Sequence, residues 1–302
     1  MPAAMTSPFH KFLSIAGLLL TLSACTTPAP IAPPVPVAPP KPPKIALVLG
    51  GGAVRGFAHI GVLKMLQSQG IVPDMVIGTS AGSVAGALYA SGYSGYDLQR
   101  IAFDLDKATV ADVTLFGKGL LKGDALQNFI NKAVGGKNIE DLKIPFACVA
   151  TRLDTGEAVL FQRGNIAVAV RASSAVPGVF QPAIINGAEY VDGGLVSPVP
   201  VRYARQMGAD FIIAVDVSSP PAKEISTGTM DILMRSYDIM GKSIRDLELP
   251  QADVLIRPDL SHVNSSELEG KHLAILEGEK AAEAAIPQIR EKLRARMSAV
   301  AP

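Results

Sequence analysis

The chain has 302 residues, with 28 Lys and Arg against 27 Asp and Glu, four histidines, two cysteines and no tryptophan. A net charge near zero lacks the basic excess expected of a nucleic-acid binder, and two cysteines cannot build a disulfide framework. No Cys or His spacing suits zinc, so neither a metal nor another cofactor is expected.

The first segment in chain order reads as targeting sequence. Lys11 precedes the apolar run Phe12–Leu22, which is too short to span a bilayer as a helix. Leu22-Ser23-Ala24-Cys25 then places small residues before a cysteine. This layout resembles the lipobox of bacterial lipoproteins. The resemblance implies cleavage after Ala24, lipidation of Cys25 and, because Thr26 rather than Asp follows, anchoring in a bacterial outer membrane, facing the periplasm. An ordinary signal peptide followed by Cys is the alternative. Half of the residues from Thr26 to Pro43 are proline, so this stretch reads as a polyproline spacer reaching roughly 55 Å. The expected organisation is a signal peptide (1–24), a lipidated cysteine with its linker (25–43) and one domain (44–302). Losing Lys11 with the signal would leave the mature chain neutral.

In the domain, Lys44–Gly50 is a continuous apolar run ending in glycine, as in a buried parallel strand. Ala53–Gln69 has helical spacing with Gly70 as its stop. A second strand at Met75–Gly78 is followed by a helix of small residues, Ala81–Ala90. Further strands are expected at Phe146–Thr151, Ala158–Gln162, Tyr190–Asp192, Phe211–Val217 and Val254–Arg257. Further helices are expected at Asp124–Val134, Val199–Met207, Met230–Leu247 and Leu273–Met297. The alternation predicts an α/β fold with a mostly parallel central sheet. Cys148 falls in an apolar strand and reads as a small buried hydrophobe.

Three motifs carry chemistry. Gly78-Thr79-Ser80-Ala81-Gly82 is a Gly-x-Ser-x-Gly pentapeptide between a strand and a helix, the setting of a nucleophile elbow. Gly78 and Gly82 must be tiny so that strand and helix can approach. A serine that merely caps its helix is the bland reading. Gly50-Gly-Gly-Ala-Val-Arg-Gly56 fails the dinucleotide spacing, and Phe57 stands where a phosphate loop needs lysine. An oxyanion loop remains. Tyr190-Val-Asp192-Gly-Gly194 ends a strand on a carboxylate; alone it reads as an Asp-Gly turn.

Together with Ala58-His-Ile-Gly61 and Arg171-Ala-Ser-Ser-Ala-Val-Pro-Gly178, these blocks resemble the bacterial patatin-like phospholipases, related to the catalytic domain of neuropathy target esterase. The resemblance spans about Lys44 to Gln288. It implies a three-layer α/β/α patatin-like fold and a serine acyl hydrolase acting on lipid esters. It also implies Ser80 as nucleophile and Asp192 as its base in a Ser-Asp dyad. Gly51, Gly52 and Arg55 would form or orient the oxyanion hole. Ala53 replaces a glycine of the plant pattern, which leaves open whether the Gly52 or the Ala53 amide enters the hole. The expected partners are an acyl-ester or lipid substrate and, through Cys25, a membrane surface.

Two other readings differ in class. An α/β-hydrolase triad would need Asp253 or Asp259 with His262 or His272, but only one strand–helix unit precedes Ser80. A lipid-binding lipoprotein would need a dead dyad, yet both residues are present. His59, in the first helix, reads as a packed or capping histidine. An apolar groove for acyl chains is expected beside Ser80. Val110–Leu121 and the Met230–Met240 stripe could line it or touch a membrane, although their spacing fits core-facing stripes better.

Overall fold

The computed structural model describes residues 42–106, 112, 119–218, 228–263 and 268–300. The signal segment, Cys25 and nearly all of the proline linker lie outside the described residues, as does most of Val110–Leu121.

Ile45–Leu49 (β1) is the centre of the sheet, because its run of apolar residues can be covered on both faces. Parallel neighbours flank it, Met75–Thr79 (β2) on one side and Phe211–Val215 (β9) on the other. Val254–Ile256 (β10) extends the sheet beyond β9, and Phe146–Arg152 (β4) extends it beyond β2, both in parallel. Beyond β4 the direction reverses. Ala158–Phe161 (β5) and Ala188–Asp192 (β8) pair with β4 antiparallel, and Ala183–Ile185 (β7) closes the path against β8. Gly119–Leu121 (β3) and Gly178–Phe180 (β6) form a separate parallel pair. The expected mostly parallel α/β architecture is present.

Alternate residues of the strands feed two apolar layers. Leu47, Leu49, Val76, Cys148, Ile213 and Val215 join the helices Ala58–Ser68 (α1) and Ala81–Ala90 (α2) in one cluster. Ala46, Val48, Ile77, Val149, Ile212 and Ala214 join Val201, Tyr203 and Ala204 of Val201–Gln206 (α6) in the other. The sheet thus has helices on both faces, giving three layers.

Sequence periodicity finds α2 and Asp124–Val134 (α4) to the residue. It joins two pieces at Ala53–Gln69, where a 3-10 turn over Ala53–Phe57 precedes α1. It misses Gly95–Asp104 (α3), which Ser94 caps in a reciprocal box with Asp97, and Ile166–Ser173 (α5), capped by the Asn165 side chain. The helix Thr229–Glu248 (α7) corrects the core-facing reading of its stripe, since Leu233 and Met240 are about half exposed together with Ile232 and Ile239. Lys271–Val300 (α8) packs along α1.

Candidate active site

Ser80 follows β2 and caps α2 with backbone angles of φ 53° and ψ −124°. A non-glycine residue there is strained, and such strain persists only where surrounding contacts over-determine it. The contacts are plain. A β-carbon on Gly78 would stand 2.5 Å from the Gly82 carbonyl oxygen, and one on Gly82 would stand 2.1 Å from that of Leu49. Strand and helix therefore meet at glycine on both sides of the serine, as the sequence requires of an elbow. The Ser80 amide donates to the Ser173 hydroxyl at 3.0 Å, and that hydroxyl donates to the Val149 carbonyl at 2.6 Å. Ser80 keeps 8% of its surface exposed.

Asp192 reaches the same place by strand register. On β4, Thr79 pairs with Val149 and Asp192 pairs with the next residue, Ala150. The other edge of β4 at these positions belongs to β5, so β2 and β8 run into each other end to end along one edge. The Asp192 carboxylate that ends β8 and the Ser80 hydroxyl that follows β2 are brought together by that collision. The Asp192 amide is tied to the Ala175 carbonyl, two residues from the Ser173 hydroxyl that holds Ser80.

The Asp192 carboxylate is fully buried. Oδ1 accepts from the Gly194 amide at 2.7 Å and from the Tyr237 hydroxyl at 3.0 Å. Oδ2 has no hydrogen bond among the described residues. Burial raises the pKa to about 6, opposed by the Ser80 hydroxyl, the Gly194 amide and the Tyr237 hydroxyl, all of which favour the charged form. The site thus holds a strained serine beside a carboxylate with one occupied oxygen and one open one. Its basicity is tuned toward neutral pH.

The glycine loop lies against the serine. A β-carbon on Gly51 would stand 3.2 Å from that of Ser80. The Gly51 amide donates to the Pro198 carbonyl at 2.9 Å, so Gly51 contributes its close approach to Ser80 and orients the loop from there. Among the described residues the Gly52 and Ala53 amides have no acceptor. Ala53 adopts φ 50°, a left-handed backbone where glycine would be unstrained, so this chain accepts strain at the position of the missing glycine. Arg55 closes the turn with its amide on the Gly52 carbonyl, while its Nε is buried without an acceptor among the described residues. Burial lowers its pKa, opposed by Asp238 and Asp216 and reinforced by Arg245.

His59 is fully buried, and its Nε2 lies 2.7 Å from the Gly50 carbonyl. A carbonyl only accepts, so Nε2 is a protonated, donating nitrogen. Burial lowers its pKa to about 4. The packed-histidine reading holds, with the addition that the ring props the glycine loop. His262 and His272 are exposed, and the His272 ring meets that of Phe103 in a tilted contact with centroids 4.5 Å apart. Among the described residues, therefore, no histidine stands in the environment a triad base needs. Cys148 is buried and burial raises its thiol pKa. The described cavities, one by Arg152 and Glu189 and one by Tyr93 and Ala133, are not lined by Ser80 or Asp192, so they do not supply the expected acyl groove.

Sequence reasoning missed three supporting groups: Ser173, Tyr237, and the Thr79 hydroxyl that donates to the Ser197 carbonyl at 2.9 Å. Ser173 lies within the Arg171–Gly178 motif, and Tyr237 within the apolar stripe of α7. Neither pattern reveals a hydrogen bond to another segment.

Residues 47–205 match the family described as patatin-like phospholipase. An uncharacterised NTE family protein of Mycobacterium tuberculosis is 36% identical over 183 residues, covering 60% of this chain and 51% of that protein. The human patatin-like phospholipase domain-containing protein 6 is 34% identical over 229 residues, covering 73% of this chain and 16% of that protein. The chain therefore spans about half the length of the mycobacterial relatives it matches and a small part of the human one. Among solved structures, VipD from Legionella pneumophila superposes with a TM-score of 0.55 at 14% identity, covering 81% of this chain and 66% of that one, a likeness of fold.

Proposed function

The chain belongs to the patatin-like phospholipase family, and on that premise we propose that it is a lipolytic serine acyl hydrolase working through a Ser80–Asp192 dyad. The observation that carries the reading is a serine strained at φ 53° beside a buried carboxylate whose pKa is raised to about 6. A carboxylate at its ordinary pKa is a feeble base toward a hydroxyl. Raised by burial, Asp192 is still ionised at neutral pH yet binds a proton more readily.

In the proposed reaction Asp192 takes the Ser80 proton as Oγ attacks an ester carbonyl. The Gly52 and Ala53 amides, free of other acceptors among the described residues, donate to the oxyanion, and Arg55 holds their turn. Collapse of the tetrahedral intermediate expels the alcohol, which takes the proton held by Asp192, and leaves an acyl-serine beside the regenerated carboxylate. Water, deprotonated by the same carboxylate, then releases the fatty acid. The cycle needs no metal. The phospholipase, lysophospholipase or simple esterase choice belongs to the substrate, and a lipid panel assayed with purified enzyme decides it.

The decisive assay is covalent labelling by a fluorophosphonate. Wild-type protein is expected to be labelled at Ser80, and Ser80→Ala to lose both labelling and turnover while keeping its fold. Unchanged hydrolysis by Ser80→Ala would end the reading and favour a lipid-binding protein whose esterase activity comes from a contaminant.

The same proposal places the enzyme on a bacterial envelope membrane by lipid on Cys25, in the outer membrane and facing the periplasm. The lipobox-like Leu22–Cys25 and the proline spacer support it. Among the described residues no helix is long and apolar enough to cross a membrane. Mass spectrometry of the mature N-terminus tests the anchor directly; an unmodified Cys25 would remove it.

A further inference from the structure

We infer that Tyr237 is a positioning residue for the base: its hydroxyl fixes Oδ1 of Asp192 so that Oδ2 is left to face the Ser80 proton. The inference rests on the dyad proposed above and deepens it. Tyr237 lies on α7, beyond the residues 47–205 that match the family, so the contact comes from a part of the chain that the motifs do not cover.

Three independent features converge. The Tyr237 oxygen is 3.0 Å from Oδ1, which also takes the Gly194 amide, so this oxygen is saturated from two directions. Oδ2 is buried and otherwise unbonded among the described residues, so the asymmetry of the carboxylate is set by these two donors. The second glycine of Asp192-Gly-Gly194 is then explained. A β-carbon there would stand 1.9 Å from the Tyr237 hydroxyl, so glycine at this position is what admits the phenol to the carboxylate.

A carboxylate can rotate about its Cβ–Cγ bond, and in a buried site each wrong orientation leaves a charge unpaired. A donor on one oxygen removes that freedom and stabilises the ionised state in which Asp192 acts. The groups facing the carboxylate are few. Ser80 comes from the elbow, the Gly194 amide from its own turn and Tyr237 from α7. Tyr237 in turn is surrounded by Asp192 and by Asp238 and Arg245 of its own helix, and burial raises its pKa well above the ordinary phenol value. The phenol is therefore a proton-bearing donor throughout the working pH range, never a competing base.

The test is the rate of fluorophosphonate labelling of Ser80 as a function of pH in the full chain, for wild type, Tyr237→Phe and Tyr237→Leu, with circular dichroism to verify the fold. Wild type is expected to gain rate with a midpoint near pH 6. Losing a donor to the charged form must raise the Asp192 pKa, so both variants are expected to shift the midpoint upward. At neutral pH both should label about tenfold more slowly, the scale of one charge-assisted hydrogen bond. In steady-state ester hydrolysis the loss is expected in kcat rather than KM, because the phenol acts through the Asp192 carboxylate it bonds. A folded variant of either kind with wild-type midpoint and rate would overturn the inference. Failure of the dyad itself gives a different pattern: Asp192→Asn would then label at the wild-type rate, whatever Tyr237 does.

Discussion

Around Ser80 the holding groups come chiefly from the adjoining chain. Gly78 and Gly82 bring strand and helix together, the preceding strand ends at Thr79, and α2 starts at Ala81. Around Asp192 they come mostly from elsewhere. Register on β4 sets its height, the Ala175 carbonyl fixes its amide, and Tyr237 arrives from α7. A nucleophile needs a strained backbone, which a pentapeptide can encode locally. A base needs a calibrated burial and a fixed carboxylate orientation, which only tertiary structure provides.

That contrast can be broken at its glycines, where the largest effect is expected. A methyl group at Gly82 meets the Leu49 backbone at 2.1 Å, and backbone cannot swing aside. Gly82→Ala should cost about 3 kcal/mol or more and abolish activity with the elbow. A methyl group at Gly194 meets the far end of Tyr237, which can move. Gly194→Ala should therefore lower stability by only about 1 kcal/mol while cutting hydrolysis about tenfold. Chemical denaturation and steady-state kinetics on the pair check both; equal stability losses would dissolve the distinction.

Ser173 sharpens the comparison with a smaller effect, because it is a distant group acting on the local nucleophile. Ser173→Ala leaves the Ser80 amide and the Val149 carbonyl without their shared hydroxyl. The expected cost is about 1–3 kcal/mol of stability and a fall of several-fold in turnover, as the elbow loosens without losing its chemistry. Thermal unfolding and kcat measured together would show whether the two losses come jointly.

The same division explains what the sequence could disclose. Central strands were legible as apolar runs, and α2 and α4 as helices with small or periodic residues. The Gly-x-Ser-x-Gly elbow was legible because its constraint is steric and local. Asp192 was visible only as an Asp-Gly turn until the family motifs were considered together, because nothing in its own neighbourhood reports that β8 meets β2 end to end. Tyr237 was hidden for a further reason. Its ring belongs to an apolar stripe, and only its hydroxyl does polar work. Ile166–Ser173 is hidden in the sequence because its alanines and valines have no decisive period, and its start depends on one Asn165 side-chain bond. The Gly51 amide could not be assigned from the loop alone, since its acceptor, Pro198, lies far along the chain.

The central claim, that a buried carboxylate rather than an imidazole activates Ser80, is tested most directly by the rate of acyl-enzyme formation in single-residue variants. The chain offers three imidazoles within the domain, His59, His262 and His272. Replacing each with Gln should leave acylation within about tenfold of wild type, with His59 the most affected because its ring props the Gly50 carbonyl. Asp192→Asn should slow acylation by at least about a thousandfold in a folded protein, because an amide cannot accept the serine proton. Near-normal acylation by Asp192→Asn, with collapse on replacing His262 or His272, would contradict the account.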